Sequence, residues 1–437
     1  MRHALRARCI LAVGLGLFLV GAASRTAASD ETYKKIDVFA QVLHYIQGSY
    51  VEKVDAQKLL YGAIRGMLKT LDPHTAFMTP REFKAMQEDT SGHFGGVGIE
   101  LAMRDGGLVV VAPIDGTPAA GAGILAGDRI VKIDGSSTEN MDVDQASRLI
   151  RGVPGTKIVL TIDRDEFEKP RDFILIRLRI RLNPVEKSMP LPGYGVIKIR
   201  AFQERTERNM MQALAELRKL SGGRLRGLVL DLRNNPGGLL EQAVRVVDRF
   251  VTSGTIVETK GRGKKVDKEF AHKIGTQPFY PMICLVNGGS ASASEIVAGA
   301  LQDQGRAVIM GTRSFGKGSV QTVVGLKDGS GLKMTIARYY TPNHRSIQEK
   351  GIVPDVEVPR KEPEHPGEIQ ITREADLAGH LHKEGMPDPA RLLLDRMEDF
   401  QLRTALNYLK VWERFAHGDS AAQLPGSLTH GGQAAKP

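Results

Sequence analysis

Met282-Ile283-Cys284-Leu285-Val286-Asn287-Gly288-Gly289-Ser290-Ala291-Ser292-Ala293-Ser294-Glu295-Ile296 reads as three pieces of structure in a row. Five apolar residues make a buried strand, Asn287 to Gly289 turn the chain, and small residues open a helix expected over 293–301. Cys284, inside the apolar run, reads as a buried strand residue rather than a nucleophile. Outward from this stretch the order repeats. Strands expected at 196–199, 227–232 and 307–310 alternate with helical stretches at 204–220 and 239–250, which argues an α/β core over 183–360.

The rest of the chain differs in style. Arg2, His3, Arg6 and Arg8 precede an apolar run over 10–20 and the small residues Gly21, Ala22, Ala23 and Ser24, the layout of a secretory signal peptide over 1–23. The run falls short of the ~20 residues a spanning helix needs, so membrane contact is expected only through an uncleaved signal. Cys9 lies inside the signal, which leaves Cys284 alone and forbids an intrachain disulfide in the mature chain. Residues 24–92 carry apolar spacing for two helices, at 33–50 and 56–71, the second ended by Asp72-Pro73. Residues 93–182 have strand character, with one helix at 142–150. From 361 to 437 the composition turns polar, with one amphipathic helix at 398–415 before a Gly/Ala/Ser-rich end of disordered composition.

At 437 residues the chain exceeds one hydrophobic core. With 41% hydrophobic and 25% charged residues, collagen-like, coiled-coil and wholly disordered classes are excluded. The net charge of +10 is dispersed, with few aromatics between the basic residues, so the composition carries no nucleic-acid footprint.

Two constellations carry chemistry. Gly123-Ile124-Leu125-Ala126-Gly127-Asp128-Arg129-Ile130-Val131-Lys132-Ile133-Asp134-Gly135 resembles the G-x-x-x-G-D-x-I-x-x-I-(D/N)-G signature of PDZ domains. Upstream, Gly95 to Glu100 resembles that family's carboxylate-binding loop. The resemblance implies that Gly96, Val97, Gly98 and Ile99 receive a peptide's terminal carboxylate while a strand edge takes the peptide as an added strand. Arg151, after the module's helix, reads as an exposed charge or a contact at the domain junction.

The second is the Ser290–Ser294 run at a helix start. By itself it is either an N-cap with tight packing or a nucleophile at the positive end of a helix. Two further stretches bear on the choice: Phe315-Gly316-Lys317-Gly318-Ser319-Val320-Gln321 sets a lysine between glycines ahead of an apolar strand, and 227–238 ends a buried strand in Asn234-Asn235-Pro236-Gly237-Gly238. Together these motifs resemble the C-terminal processing peptidases, also called tail-specific proteases, over nearly all of 33–360. The resemblance implies a multi-domain α/β protein: an N-terminal helical region, a β-rich PDZ domain inserted before a crotonase/ClpP-like protease core, and a helical C-terminal tail. It further implies a Ser–Lys dyad of Ser292 and Lys317, Gln321 orienting the lysine, and an oxyanion hole from the N–H groups of Gly238 and Ala293. Asp303 matches an acid of the pattern and reads better as a helix-end carboxylate in structural hydrogen bonds.

A lysine serving as base must lose its proton near neutral pH, which burial favours. No H-E-x-x-H occurs, no histidine adjoins a Gly-x-Ser-x-Gly elbow, and His380-x-His382 reads as a solvated pair, so neither a metal nor another cofactor is expected. The expected protein is an exported, periplasmic serine endopeptidase acting on protein or peptide substrates with accessible C-terminal tails. The competing readings are a non-catalytic scaffold that binds peptide tails and, ranked last, an acyl-thioester enzyme of the crotonase type. A homo-oligomer is compatible with the sequence.

Overall fold

The computed structural model describes residues 33–361, apart from 105 and 265, together with 393–394 and 397–418. The expected signal, His380-x-His382 and the chain end lie outside the described residues. Internal contacts divide the chain into two units, 1–79 with 323–334 and 80–322 with 335–437.

In the first unit, helix α1 spans 33–49. Helix α2 (Ala56–Lys69) starts at Asp55, whose carboxylate accepts the N–H groups of Gln57 and Lys58. The expected stop at Asp72-Pro73 is a tight turn in which Asp72 accepts from His74 N–H, Thr75 N–H and the Thr75 hydroxyl. The stretch expected to be helical also contains a strand: β1 (Ala76–Met78) pairs antiparallel with Gly331–Lys333. A partner more than 250 residues away decides that conformation, which no local pattern announces.

The second unit opens with α3 (Pro80–Ser91) and the β-rich module. Strand β2 (His93–Gly96) pairs with β9 (Leu178–Arg181). Strands β3 (Ile99–Arg104), β4 (Gly107–Pro113), β5 (Arg129–Ile133), β7 (Lys157–Asp163) and β8 (Arg171–Ile176) form an antiparallel sheet in that order, with β6 (Ser136–Ser137) beside β5. Helices α4 (Pro118–Gly121) and α5 (Val143–Ile150) accompany it, and α5 begins in a capping box between Asp142 and Gln145. Alternation sends Ile158, Leu160 and Ile162 of β7 into a core with Leu108, Val110, Ile130, Ile133 and Ala146. The motif's Asp128 is buried and takes two bonds from Arg164, at 2.6 and 2.7 Å, and one from Leu125 N–H, so its role is to hold the turn.

The core sheet runs β10 (Val185–Leu191), β11 (Tyr194–Ile199), β12 (Gly227–Asp231), β15 (Met282–Val286), β16 (Val308–Gly311) and β19 (Val356–Glu357), parallel from β11 onward. Every residue of β12 and β15 is buried, as a parallel sheet covered on both faces requires. On one face Leu228, Leu230, Met282 and Cys284 pack with α6 (Thr206–Leu220), α7 (Leu240–Asp248) and α8 (Ala293–Asp303). On the other, Val196, Val229, Ile283 and Leu285 pack with Ala405, Leu406 and Leu409 of the C-terminal helix α9 (Phe400–Gly418). Burial pushes the Cys284 thiol well above its usual pKa, in keeping with a packing role. Strands β13 (Thr255–Gly261), β14 (Val266–Phe270), β17 (Ser319–Gly325) and β18 (Gly331–Tyr340) form a separate sheet, in which β14 and β18 each pair with β13. No helix among the described residues is long and apolar enough to cross a membrane.

Candidate active site

Three loops, 232–238, 287–292 and 312–318, leave the carboxyl ends of β12, β15 and β16, the place where open parallel sheets gather ligands. The first is organised by Asn235, which is fully buried. Its side chain donates to Ile199 O (2.8 Å) and accepts from Gly237 N–H (2.9 Å), and its own carbonyl accepts Ala291 N–H (3.0 Å).

Gly237 and Gly238 have φ of 102° and 138°, conformations that a side chain opposes. Space opposes one as well: a Cβ on Gly238 would overlap Phe202 O. Phe202 N–H donates to Gly237 O at 2.9 Å, so the trans peptide turns Gly238 N–H the opposite way. On the other side a Cβ on Gly237 would lie 2.9 Å from Ser292 Cβ and 3.1 Å from Ala293 N. Gly237–Gly238, Ser292 and Ala293 are therefore brought together.

The three serines of the run are not equivalent. Ser290 and Ser294 are fully buried, and their hydroxyls donate to Leu232 O (2.8 Å) and Asn235 O (2.9 Å), tying the turn to the neighbouring loop. Ser292 is partly exposed and caps α8 with φ 54° and ψ −111°, a region costly for any residue but glycine. Ala293 begins the helix, so its N–H has no intrahelical acceptor.

Glu295 joins the second loop to the third. Its carboxylate, 1% exposed, accepts Ser292 N–H (2.8 Å) and Lys317 N–H (2.8 Å) on Oε2, and the Ser314 hydroxyl (2.6 Å) and Gly316 N–H (2.6 Å) on Oε1. The Lys317 ammonium donates to Gln321 Oε1 at 3.4 Å, while Gln321 Nε2 is buried without a hydrogen-bond partner among the described residues. Ser292, Ala293, Gly238, Lys317 and Gln321, separated by up to 83 positions, thus lie in the three loops or in the first residues of the helix and strand that follow them.

Sequence reasoning passed over Glu295, although Ser292-Ala293-Ser294-Glu295 is the S-x-x-E pattern of a capping box. It also passed over Arg233, which clasps Asp231 and reaches Asp399 at 2.7 and 2.8 Å and Gln401 at 3.0 Å. No local signal ties Arg233 to residues about 166 positions away. Asp303 accepts Asn343 N–H and pairs with Arg345, the structural role expected of it.

The second candidate site lies in the β-rich module. Val97 O accepts Ala119 N–H (3.0 Å) and Gly98 O accepts Ile114 N–H (2.9 Å). Trans geometry then turns the N–H groups of Gly98 and Ile99 away from these partners. Gly98 has φ 77° and a Cβ there would overlap Thr117, so the loop excludes a side chain. β3, which follows, has a single strand partner among the described residues and offers an unpaired edge there beside this loop. Arg151 pairs with Asp89 of α3 at 3.4 Å and stacks on Phe94 at 4.6 Å, at the junction of module and core.

Comparison with known proteins identifies this arrangement. Residues 193–358 match peptidase family S41, 109–164 match a PDZ domain, and 20–81 match the N-terminal domain of the activating protease CtpB. A carboxy-terminal-processing protease of Bartonella bacilliformis is 42% identical over 402 residues, covering 90% of this chain and 92% of the relative. The chain belongs to the carboxy-terminal processing proteases. CtpB of Bacillus subtilis is 37% identical over 352 residues, covering 79% of this chain and 72% of that protein. A solved photosystem II D1 C-terminal processing protease is 34% identical over 74% of this chain and 92% of its own, with a TM-score of 0.44. The α/β core is a serine-type protease and the β-rich module is its PDZ domain. A scaffold without catalysis is not favoured.

Proposed function

We propose that this protease is exported to the periplasm, binds substrate C-termini on its PDZ domain and cleaves with a Ser292–Lys317 dyad. One observation carries the choice of nucleophile: the hydroxyls of Ser290 and Ser294 are buried and committed to main-chain carbonyls, whereas Ser292 is partly exposed at a strained helix cap.

The neutral amine of Lys317 takes the Ser292 hydroxyl proton as the oxygen attacks the scissile carbonyl. The oxyanion rests on the N–H groups of Gly238 and Ala293, the first turned outward by its peptide and the second free at the helix start. Collapse breaks the C–N bond, the Lys317 ammonium returns the proton to the leaving amine, and water attacks the acyl-enzyme by the same route. Gln321, bonded to the Lys317 side chain, orients it. A substrate tail adds to the edge of β3, with its carboxylate on the Gly96–Ile99 loop.

The test is turnover of an unstructured protein with an apolar C-terminus. Ser292→Ala and Lys317→Ala each abolish cleavage without adding to one another, and Ser290→Ala remains active. Amidating the substrate's C-terminus slows cleavage, because each lost charge-assisted bond is worth roughly 1.5–3 kcal/mol. Wild-type turnover in Ser292→Ala overturns the assignment, and export is checked by recovering a shortened chain from the periplasmic fraction.

A further inference from the structure

A groove of about 750 Å³, whose lining contains neither Ser292 nor Lys317, is lined by Lys260, Gly261, Arg262, Val266, Arg338 and Tyr340 among others. Among the described residues two of its cations, Arg262 and Arg338, have no acidic partner, and Lys260 has only a long one. Lys260 and Arg338 are directly opposed in the β13–β18 ladder, an arrangement of like charges that sheets disfavour. The nearest acid on that face, Glu258, is 1% exposed; it takes Lys268 and His344 and reaches Lys260 only at 3.9 Å. Asp267 and Glu269 of β14 alternate to the opposite face of the sheet from Val266. No acid stands among the lining residues. Lys260 rests over the Tyr340 ring at 4.2 Å, and Val266 and Tyr340 supply apolar surface between the charges.

The groove also has a fixed relation to the catalytic loop. Tyr339 N–H donates to Gly318 O at 2.7 Å, next to Lys317. From Tyr339 the same strand runs to Thr335 along the groove, about 13 Å at ~3.3 Å per residue. An extended polypeptide lying along it would match that length with roughly four residues.

We infer that this groove is an exosite for an acidic stretch of the polypeptide being processed, flanking the scissile bond. The inference rests on the reading of Ser292 and Lys317 as the catalytic pair. Arg262 and Arg338 are exposed and Lys260 is half-buried, so the effect falls on encounter and KM and is screened by salt.

The experiment compares one unstructured, uncharged peptide substrate with two derivatives carrying an Asp-Glu-Asp run on either side of the cleaved bond. The enzymes are the full-length protease and its K260A/R262A/R338A variant. One acidic derivative is expected to show a KM lower by roughly fivefold or more in the wild type, lost in the variant and at ~0.5 M salt, with the uncharged peptide handled equally by both. Binding of the fluorescein-labelled peptides to the Ser292→Ala protein separates the two readings. Retained charge-dependent binding with wild-type activity intact despite Ser292→Ala would refute the dyad alone. Equal affinity for all three peptides overturns the exosite, as does an acidic preference unchanged in the triple variant. Loss in that variant of binding to anionic lipid vesicles, without any peptide preference, also overturns it and assigns the groove to a membrane surface.

Discussion

Replacing Glu295 by glutamine removes one charge and almost no volume, and it strikes the joint between the loops that carry Ser292 and Lys317. The carboxylate accepts four hydrogen bonds, two on each oxygen. A glutamine amide keeps one acceptor oxygen and turns an NH₂ group toward the other pair. If the NH₂ faces Oε2's partners, the N–H groups of Ser292 and Lys317 both lose their acceptor. If it faces the other pair, Gly316 N–H does, and Ser314 cannot turn away freely because its hydroxyl also accepts Ile352 N–H at 2.6 Å. Each buried donor left without a partner costs about 1–3 kcal/mol, so the substitution is expected to destabilise the core by roughly 2–5 kcal/mol. At ~2–4 °C per kcal/mol for a domain of this size, the melting temperature falls by about 4–20 °C. Turnover falls further than stability requires, because the Ser292 and Lys317 backbones are no longer held by a common group. Thermal unfolding and kcat/KM measured well below the melting transition check both statements. A Glu295→Gln protein with unchanged melting temperature and unchanged kcat would refute the reasoning.

Other expectations follow from the same geometry. Ser292→Gly relieves a non-glycine φ of 54° and should raise stability by about 1 kcal/mol while abolishing cleavage, a pairing that calorimetry and a peptide assay read together. Ser290→Ala should do the opposite, lowering stability by about 1–3 kcal/mol through the lost bonds to Leu232 O and Asn287 N–H, with cleavage retained. Gly98→Val, which drives a side chain into Thr117, should weaken binding of C-terminal peptides with a free carboxylate and leave cleavage of long substrates less affected, as fluorescence anisotropy and kinetics would register. Burial alone pushes the Asp399 carboxyl up, but hydrogen bonds from Arg233 and Leu402 N–H and the Arg233 charge hold it below its usual value. A depressed pKa contributes stability that is present above the unfolded value of ~3.9 and is lost as pH falls through the folded one, so hydrogen exchange over 400–418 should accelerate first in that acid range.

The sequence by itself determined the parts whose information is local. The short apolar runs over 227–230 and 282–286, each followed by turn residues, read as strands covered on both sides, and the glycines at Gly237 and Gly238 announce backbone conformations that other residues resist. The motifs around Asp128, Ser292 and Lys317 were legible for the same reason, since each is a turn or cap written in consecutive residues. Tertiary structure decided what depends on residues far apart in the chain. Glu295 became the fastening of two loops only because strands β15 and β16 lie side by side, and three serines alike in sequence separated into two buried ties and one partly exposed hydroxyl because only the outer two meet carbonyls of the β12 loop. The strand at Ala76–Met78 waited for a partner beyond residue 330. The C-terminal helix acquired its role in the same way: Ala405, Leu406 and Leu409 cover the second face of the parallel sheet, and Arg233 takes Asp399 at its start. A sheet of apolar residues must be covered on both faces, and which segment covers the second is settled by packing in three dimensions, where neighbours in space need not be neighbours in sequence.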